Sequence, residues 1–111
     1  MISVRKGDIV RIDFPFSDGI GTKPRPALVI SNEAIHKTGD VSVVQISSKE
    51  KSDSLSLPIN DADLTKALPL KSYIRIHKIF VVESEMISDV LSSLNPEKYR
   101  VVADRITQLI R

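Results

Sequence analysis

Hydrophobic and polar residues alternate from Gly7 to Phe14, with Val10, Ile12 and Phe14 on one face and Arg11 and Asp13 on the other. This is the pattern of a half-buried strand. Pro15 lacks an N–H and ends the ladder. Phe16 to Pro24 holds two glycines among turn-forming polar residues and reads as a mobile loop. A second strand, Arg25–Ser31, is apolar at four consecutive positions, so burial on both faces is expected. Asn32–Asp40 is a connector with room for a helical turn. Val41–Ser48 forms a Val/Ile-rich third strand. After the charged stretch Lys49–Asp53, Leu55–Ile59 alternates as a short strand that Pro58 marks as an edge.

Asp61–Leu68 is expected to form a short helix. Tyr73–Val82 is the last long strand, with Ile74, Ile76 and Phe80 inward and Tyr73, Arg75 and His77 on the opposite face. Two helices are then expected. Ser84 can cap a stretch in which Met86, Ile87, Val90, Leu91 and Leu94 recur at helical spacing. Asn95-Pro96-Glu97 starts the second with an Asn cap, a proline in the first turn and an acid beside it. Tyr99, Val102, Ile106 and Leu109 mark its apolar face. Strands followed by helices give either an α+β class or a mainly β small barrel with a helical lid.

The 111 residues are expected to form a single domain, because two cores would each bury too little apolar surface. A mean hydropathy of −0.02 with 27% charged residues is that of a folded globule. No apolar run approaches a membrane span and no leader is recognisable, so no membrane partner is expected. Without cysteine there is no disulfide, thiolate metal site or thiol nucleophile, which fits a cytoplasmic location. Two histidines, His36 and His77, argue against a zinc centre built from imidazoles. The net charge is +2, and the basic excess lies in residues 1–80, with twelve basic and nine acidic side chains, while 81–111 carry four and five. A polyanionic partner is allowed by this balance and not demanded by it.

No P-loop, dinucleotide glycine fingerprint, HExxH or nucleophile elbow is present. Arg25 opens an apolar strand just after the glycine-containing loop, and its rigid fork of donors suits a phosphate. Ion pairing with Asp13 or Asp18 explains the same residue structurally. Ser47 and Ser48 end the third strand, where serines also commonly satisfy backbone groups. Tyr73, Arg75 and His77 place an aromatic ring, a permanent cation and a group titrating near neutrality along about 13 Å of one strand face.

Gly7-Asp8-Ile9-Val10, Asp13-Phe14-Pro15-Phe16-Ser17-Asp18 and Lys23-Pro24-Arg25-Pro26-Ala27-Leu28-Val29-Ile30-Ser31 together resemble the opening of the PemK/MazF family of toxin endoribonucleases. Ser72–Phe80 is similar to the family's second marker strand, and Leu94-Asn95-Pro96-Glu97 to the start of its closing helix. The resemblance covers roughly residues 6–110. It implies a small SH3-like antiparallel barrel (PemK/CcdB-like) with a C-terminal helix, a homodimer, and metal-independent cleavage of single-stranded RNA without a cofactor. It also implies silencing by a cognate antitoxin whose disordered tail covers the RNA site. The family's catalytic arginine falls on Arg25, its third-strand hydroxyl on Ser47 with Ser48 following, and its marker-strand arginine on Arg75. His77 stands where many relatives carry an acid.

On this reading Arg25 neutralises the charge that builds on phosphorus when the neighbouring 2′-hydroxyl attacks, and Ser47 orients the phosphate. A donor so aimed contributes about 3–4 kcal/mol. General acid–base help contributes about 10²–10⁴-fold in rate, and the spacing of His77 from Arg75 and its residue type make it the expected source of part of it. The Phe16–Pro24 loop is expected to close over RNA. Phe16, Lys23, Ser48, Tyr73 and Arg75 are the expected RNA-binding residues, and groups near Ser48–Ser52 would share in base choice. Two other readings stand beside this one: a CcdB-like gyrase poison that cleaves nothing, and a barrel that only binds RNA or protein.

Overall fold

The computed structural model describes residues 3–15 and 22–111. Six strands, β1 (Asp8–Pro15), β2 (Thr22–Val29), β3 (Asp40–Ser47), β4 (Ser56–Ile59), β5 (Ser72–Glu83) and β6 (Ile87–Ser93), form one antiparallel sheet in the order β4-β5-β3-β2-β1-β6. A one-turn helix α1 (Glu33–His36) links β2 to β3, and helix α2 (Pro96–Ile110) closes the chain. The expected barrel is open: among the described residues no ladder joins the edge strands β4 and β6. The gap is spanned by the segment after β4, through a Leu64–Leu94 bridge and bonds from Thr65 N to Ser93 O (2.9 Å) and Asn95 N to Asp63 O (2.8 Å).

Adjacent residues of the central strands point into two separate cores. Val10, Ile12, Ala27, Val29, Val41 and Val43 face one; Ile9, Leu28, Val44, Ile46 and Ile74 face the other, which α2 covers with Val102, Tyr99 and Ile106. The four-residue apolar run of β2 is explained by this burial on both sides, and Ile9 adds a second buried face to β1 beyond the alternation of Val10 and Ile12. Phe80 packs against the first core; the Phe14 side chain lies outside the described residues.

Helix α2 starts as its sequence dictates. Asn95 Oδ1 accepts from Lys98 N at 2.7 Å, and Pro96 occupies the first turn. Tyr99 is locked from several sides: its hydroxyl donates to Ile30 O (3.2 Å), and Lys6 Nζ lies 5.8 Å above its ring centre. Gly7 supports this junction with a φ of +94°, donating to Val29 O while accepting from Leu94 N. None of the helices among the described residues is long and apolar enough to cross a membrane.

Three expectations are corrected. Asp61–Leu68 forms only a 3₁₀ turn at Asp61–Asp63, and strand begins at Thr22, within the expected Phe16–Pro24 loop, whose residues 16–21 lie outside the described set. The expected helix from Ser84 is a 3₁₀ turn (Ser84–Met86) followed by β6. Its apolar residues fit either period. The free edge of β1 decides, because its backbone groups must be paired, and β6 pairs with it through two register shifts. The shifts place Ile87 in one core and Leu91 and Leu94 against the other.

Leu28 is wholly buried, whereas the predicted helix-face residue Leu109 is 48% exposed. Leu28→Ala is therefore expected to lower unfolding free energy by about 2–5 kcal/mol, and Leu109→Ala by no more than about 0.5 kcal/mol, as read from urea denaturation midpoints.

Candidate functional site

The start of β2 and the end of β3 lie side by side, because Ala27 pairs with Gln45. Past that pair the two strands diverge over a cleft of about 440 Å³. Pro24, Arg25 and Pro26 line it from β2, Gln45 to Lys49 from β3 and the turn after it, and Leu68, Pro69 and Leu70 from the segment before β5. Arg11 and Leu91 contribute from β1 and β6. Three cations, Arg11, Arg25 and Lys49, share this lining, and no carboxylate does so among the described residues. Such a wall favours an anion, and its apolar patch favours a flat, weakly polar group beside it.

Arg25, Ser47 and Ser48 thus line the same cleft. Arg25 is exposed, at the cleft mouth. Ser47 is half-buried, and its Oγ accepts from Lys49 N at 3.1 Å, holding the turn after β3. That bond uses an acceptor site of the hydroxyl and leaves its proton available to an oxygen in the cleft. The structural role of the serine and a ligand-binding one are compatible.

The β5 residues separate. Tyr73 is half-buried and stands opposite Ser47 across the β3–β5 ladder, beside the cleft without lining it. Arg75 is 6% exposed. Its Nη atoms donate to Asp53 Oδ1 (3.0 Å) and Oδ2 (2.8 Å) and to Ser56 Oγ (2.7 Å), so it fastens the loop before β4 to the sheet. This arginine does not stand on a solvent-facing strand surface. The hydrogen bonds from Arg75, with one from Leu55 N, hold the Asp53 carboxyl far below the usual carboxylate range, and Asp53 in turn raises the Arg75 guanidinium. His77 is exposed and lies where β5 leaves register with β3: Val44 pairs with Ile79, and Ile46 pairs with Ile74. Regular alternation ends at this irregularity, so His77 is not carried to the cleft. Lys23 is exposed on β2 outside the lining, and Phe16 lies outside the described residues.

Arg11, Gln45 and the Leu68–Leu70 segment were not singled out from sequence, and Lys49 entered only as part of the Ser48–Ser52 stretch. Arg11 was legible only as a polar position of β1. Its register opposite Pro26 brings it beside the Arg25 end of β2.

Over residues 5–110 the chain matches the family described as PemK-like, MazF-like toxin of type II toxin–antitoxin system. No curated protein sequence matches it. Among solved structures, a MazE–MazF complex from Deinococcus radiodurans is similar with a TM-score of 0.81 at 17% identity, over 98% of this chain and 97% of that one. An endoribonuclease in complex with its cognate antitoxin, from a mycobacterial species, is similar with a TM-score of 0.74 at 19% identity, over 98% and 99% of the two chains. The Mycobacterium tuberculosis toxin MazF-mt6 gives 0.71 at 18% identity, over 91% and 93%.

The Asp53–Arg75 pair generates a pH prediction. A carboxylate with a depressed folded-state pKa stabilises fully above its unfolded value, about 3.9, and loses that contribution as pH falls through the folded value. Asp53→Asn is therefore expected to have a lower Tm than the unsubstituted chain near neutrality, with the gap closing below about pH 4, measured by circular dichroism melts across the acid range.

Proposed function

Because the chain belongs to the PemK-like, MazF-like toxin family of type II toxin–antitoxin systems, we propose that it is an endoribonuclease toxin acting on single-stranded RNA at the Arg25–Ser47 cleft. The observation that carries the proposal is the joint lining of one cleft by Arg25, Ser47 and Ser48, with Arg11 and Lys49 as further cations beside them. A cognate antitoxin and self-association as a homodimer are proposed on the same family ground.

RNA brings its own nucleophile. The 2′-oxygen forms a bond to the adjacent phosphorus as the bond from phosphorus to the 5′-oxygen breaks. The 2′-hydroxyl proton leaves to water, the departing oxygen gains one, and the products are a 2′,3′-cyclic phosphate and a 5′-hydroxyl. Charge builds on the non-bridging oxygens. Arg25, with fixed donors at the cleft mouth, would neutralise it, and the Ser47 hydroxyl would donate to the same phosphate. Ser48, exposed beside them, would contact the neighbouring nucleotide, and the Leu68–Leu70 wall offers an apolar surface to an unstacked base.

Among the described residues neither an imidazole nor a carboxylate lines the cleft, so the roles proposed here are positioning and electrostatic stabilisation, and no proton transfer is assigned to His77.

Incubation with an unstructured RNA in EDTA is expected to yield fragments with 5′-hydroxyl ends. Arg25→Ala should slow cleavage by about 10²–10³-fold, and Ser47→Ala by a smaller factor that Ser47→Thr restores. His77→Gln should retain the rate and its pH profile; a loss of about 10²–10⁴-fold with disappearance of a titrating limb would return proton transfer to His77. Intact RNA with inhibited gyrase would replace this reading with the poison.

A further inference from the structure

We infer that Arg11 is a second phosphate ligand of the bound RNA, an inference that rests on the endoribonuclease reading. Arg11 lines the same cleft as Arg25, opposite Pro26 in the β1–β2 ladder. Directly opposed side chains share a sheet face, and proline offers the guanidinium neither a donor nor a competing acceptor there beyond its carbonyl.

Its other contacts aim the side chain without neutralising it. Arg11 Nε donates to Ser88 Oγ at 3.2 Å, and the same hydroxyl donates to Arg11 O at 3.2 Å, so Ser88 ties the guanidinium back to its own strand. The carboxylate of Asp89 stands 3.7 Å from Arg11 Nη2, and both side chains are about half exposed. A pair of that length and exposure is weak and easily exchanged for another anion. Arg75 shows the contrasting case of a structural arginine, buried, with a carboxylate at 2.8 and 3.0 Å on its fork. Asp89 lies outside the cleft lining, so the carboxylate holds Arg11 from the side while the cleft retains its positive charge. Single-stranded RNA crossing the cleft presents successive phosphates, and an arginine hydrogen-bonded at Nε can turn Nη1, and Nη2 once the long Asp89 pair is exchanged, to a phosphate's oxygens.

The test measures binding of an RNA carrying 2′-O-methyl groups throughout, which cannot cleave itself, across a series of salt concentrations. Arg11→Gln is expected to weaken binding about tenfold to a hundredfold and to reduce the slope of log affinity against log salt by about 0.7, one phosphate contact. Asp89→Asn removes the weak pair but keeps the cation, and is expected to leave the slope unchanged with equal or tighter binding. Unaltered affinity and slope in Arg11→Gln would overturn the inference, and so would a loss in Asp89→Asn equal to that in Arg11→Gln, since that would make the pair itself the cause. Cleavage by the unsubstituted chain, assayed in parallel, separates the two claims: absent cleavage counts against the endoribonuclease reading, whereas cleavage with an indifferent Arg11 counts against this inference alone.

Discussion

Burial of β1, β2 and β3 on both faces is the constraint from which the site follows. Ile9 and Val10, Leu28 and Val29, Val43 and Val44 are neighbours in sequence that enter opposite cores. A slip of one residue in either ladder would exchange every side chain between the two cores and push the polar ends of the strands inward. The pairing of Ala27 with Gln45 is therefore rigidly specified. It delivers Arg25 on one strand and Ser47 on the other to the same opening, with no need for a loop to position them.

Rigidity at the centre is balanced by irregularity at the margins. β6 joins β1 through two register shifts, and β5 departs from β3 over the stretch that contains Arg75 and His77. Pro58 leaves edge strand β4 short of a donor, and the segment after β4 meets the end of β6 without completing a ladder. Shifts of this kind bend a sheet strongly. They curl the six strands around two cores while leaving the cleft end of the molecule open.

Three arginines show how one side chain acquires different work from its surroundings. Arg75 has its fork filled by Asp53 and its flanks covered, and it ties a loop to the sheet. Arg11 is steadied by a hydroxyl and a distant carboxylate. Arg25 opens onto the cleft at the mouth of two diverging strands. Charge and donor count are the same in all three. What differs is which acceptors the fold brings within reach, and how much water remains around them.

Much of this was legible along the chain. The run Ala27–Ile30 announced a strand buried on both sides, Pro58 an edge, and Asn95-Pro96-Glu97 the first turn of α2, because propensity, capping and burial act there over a few residues. Family likeness in the Lys23–Ser31 segment and its neighbours pointed to the fold and to Arg25 and Ser47. Residues 87–94 were misread, since spacing that suits a helix also suits a bulged strand, and only the unsatisfied edge of β1 distinguishes them. The fates of Arg75 and His77 were equally hidden, because the alternation of an ideal strand cannot register a bulge or a carboxylate arriving from 22 residues away. Local pattern thus determined which segments become strands and where α2 begins. Which side chains meet in the cleft was decided by long-range register, whose hydrogen bonds join residues that no short window of sequence contains.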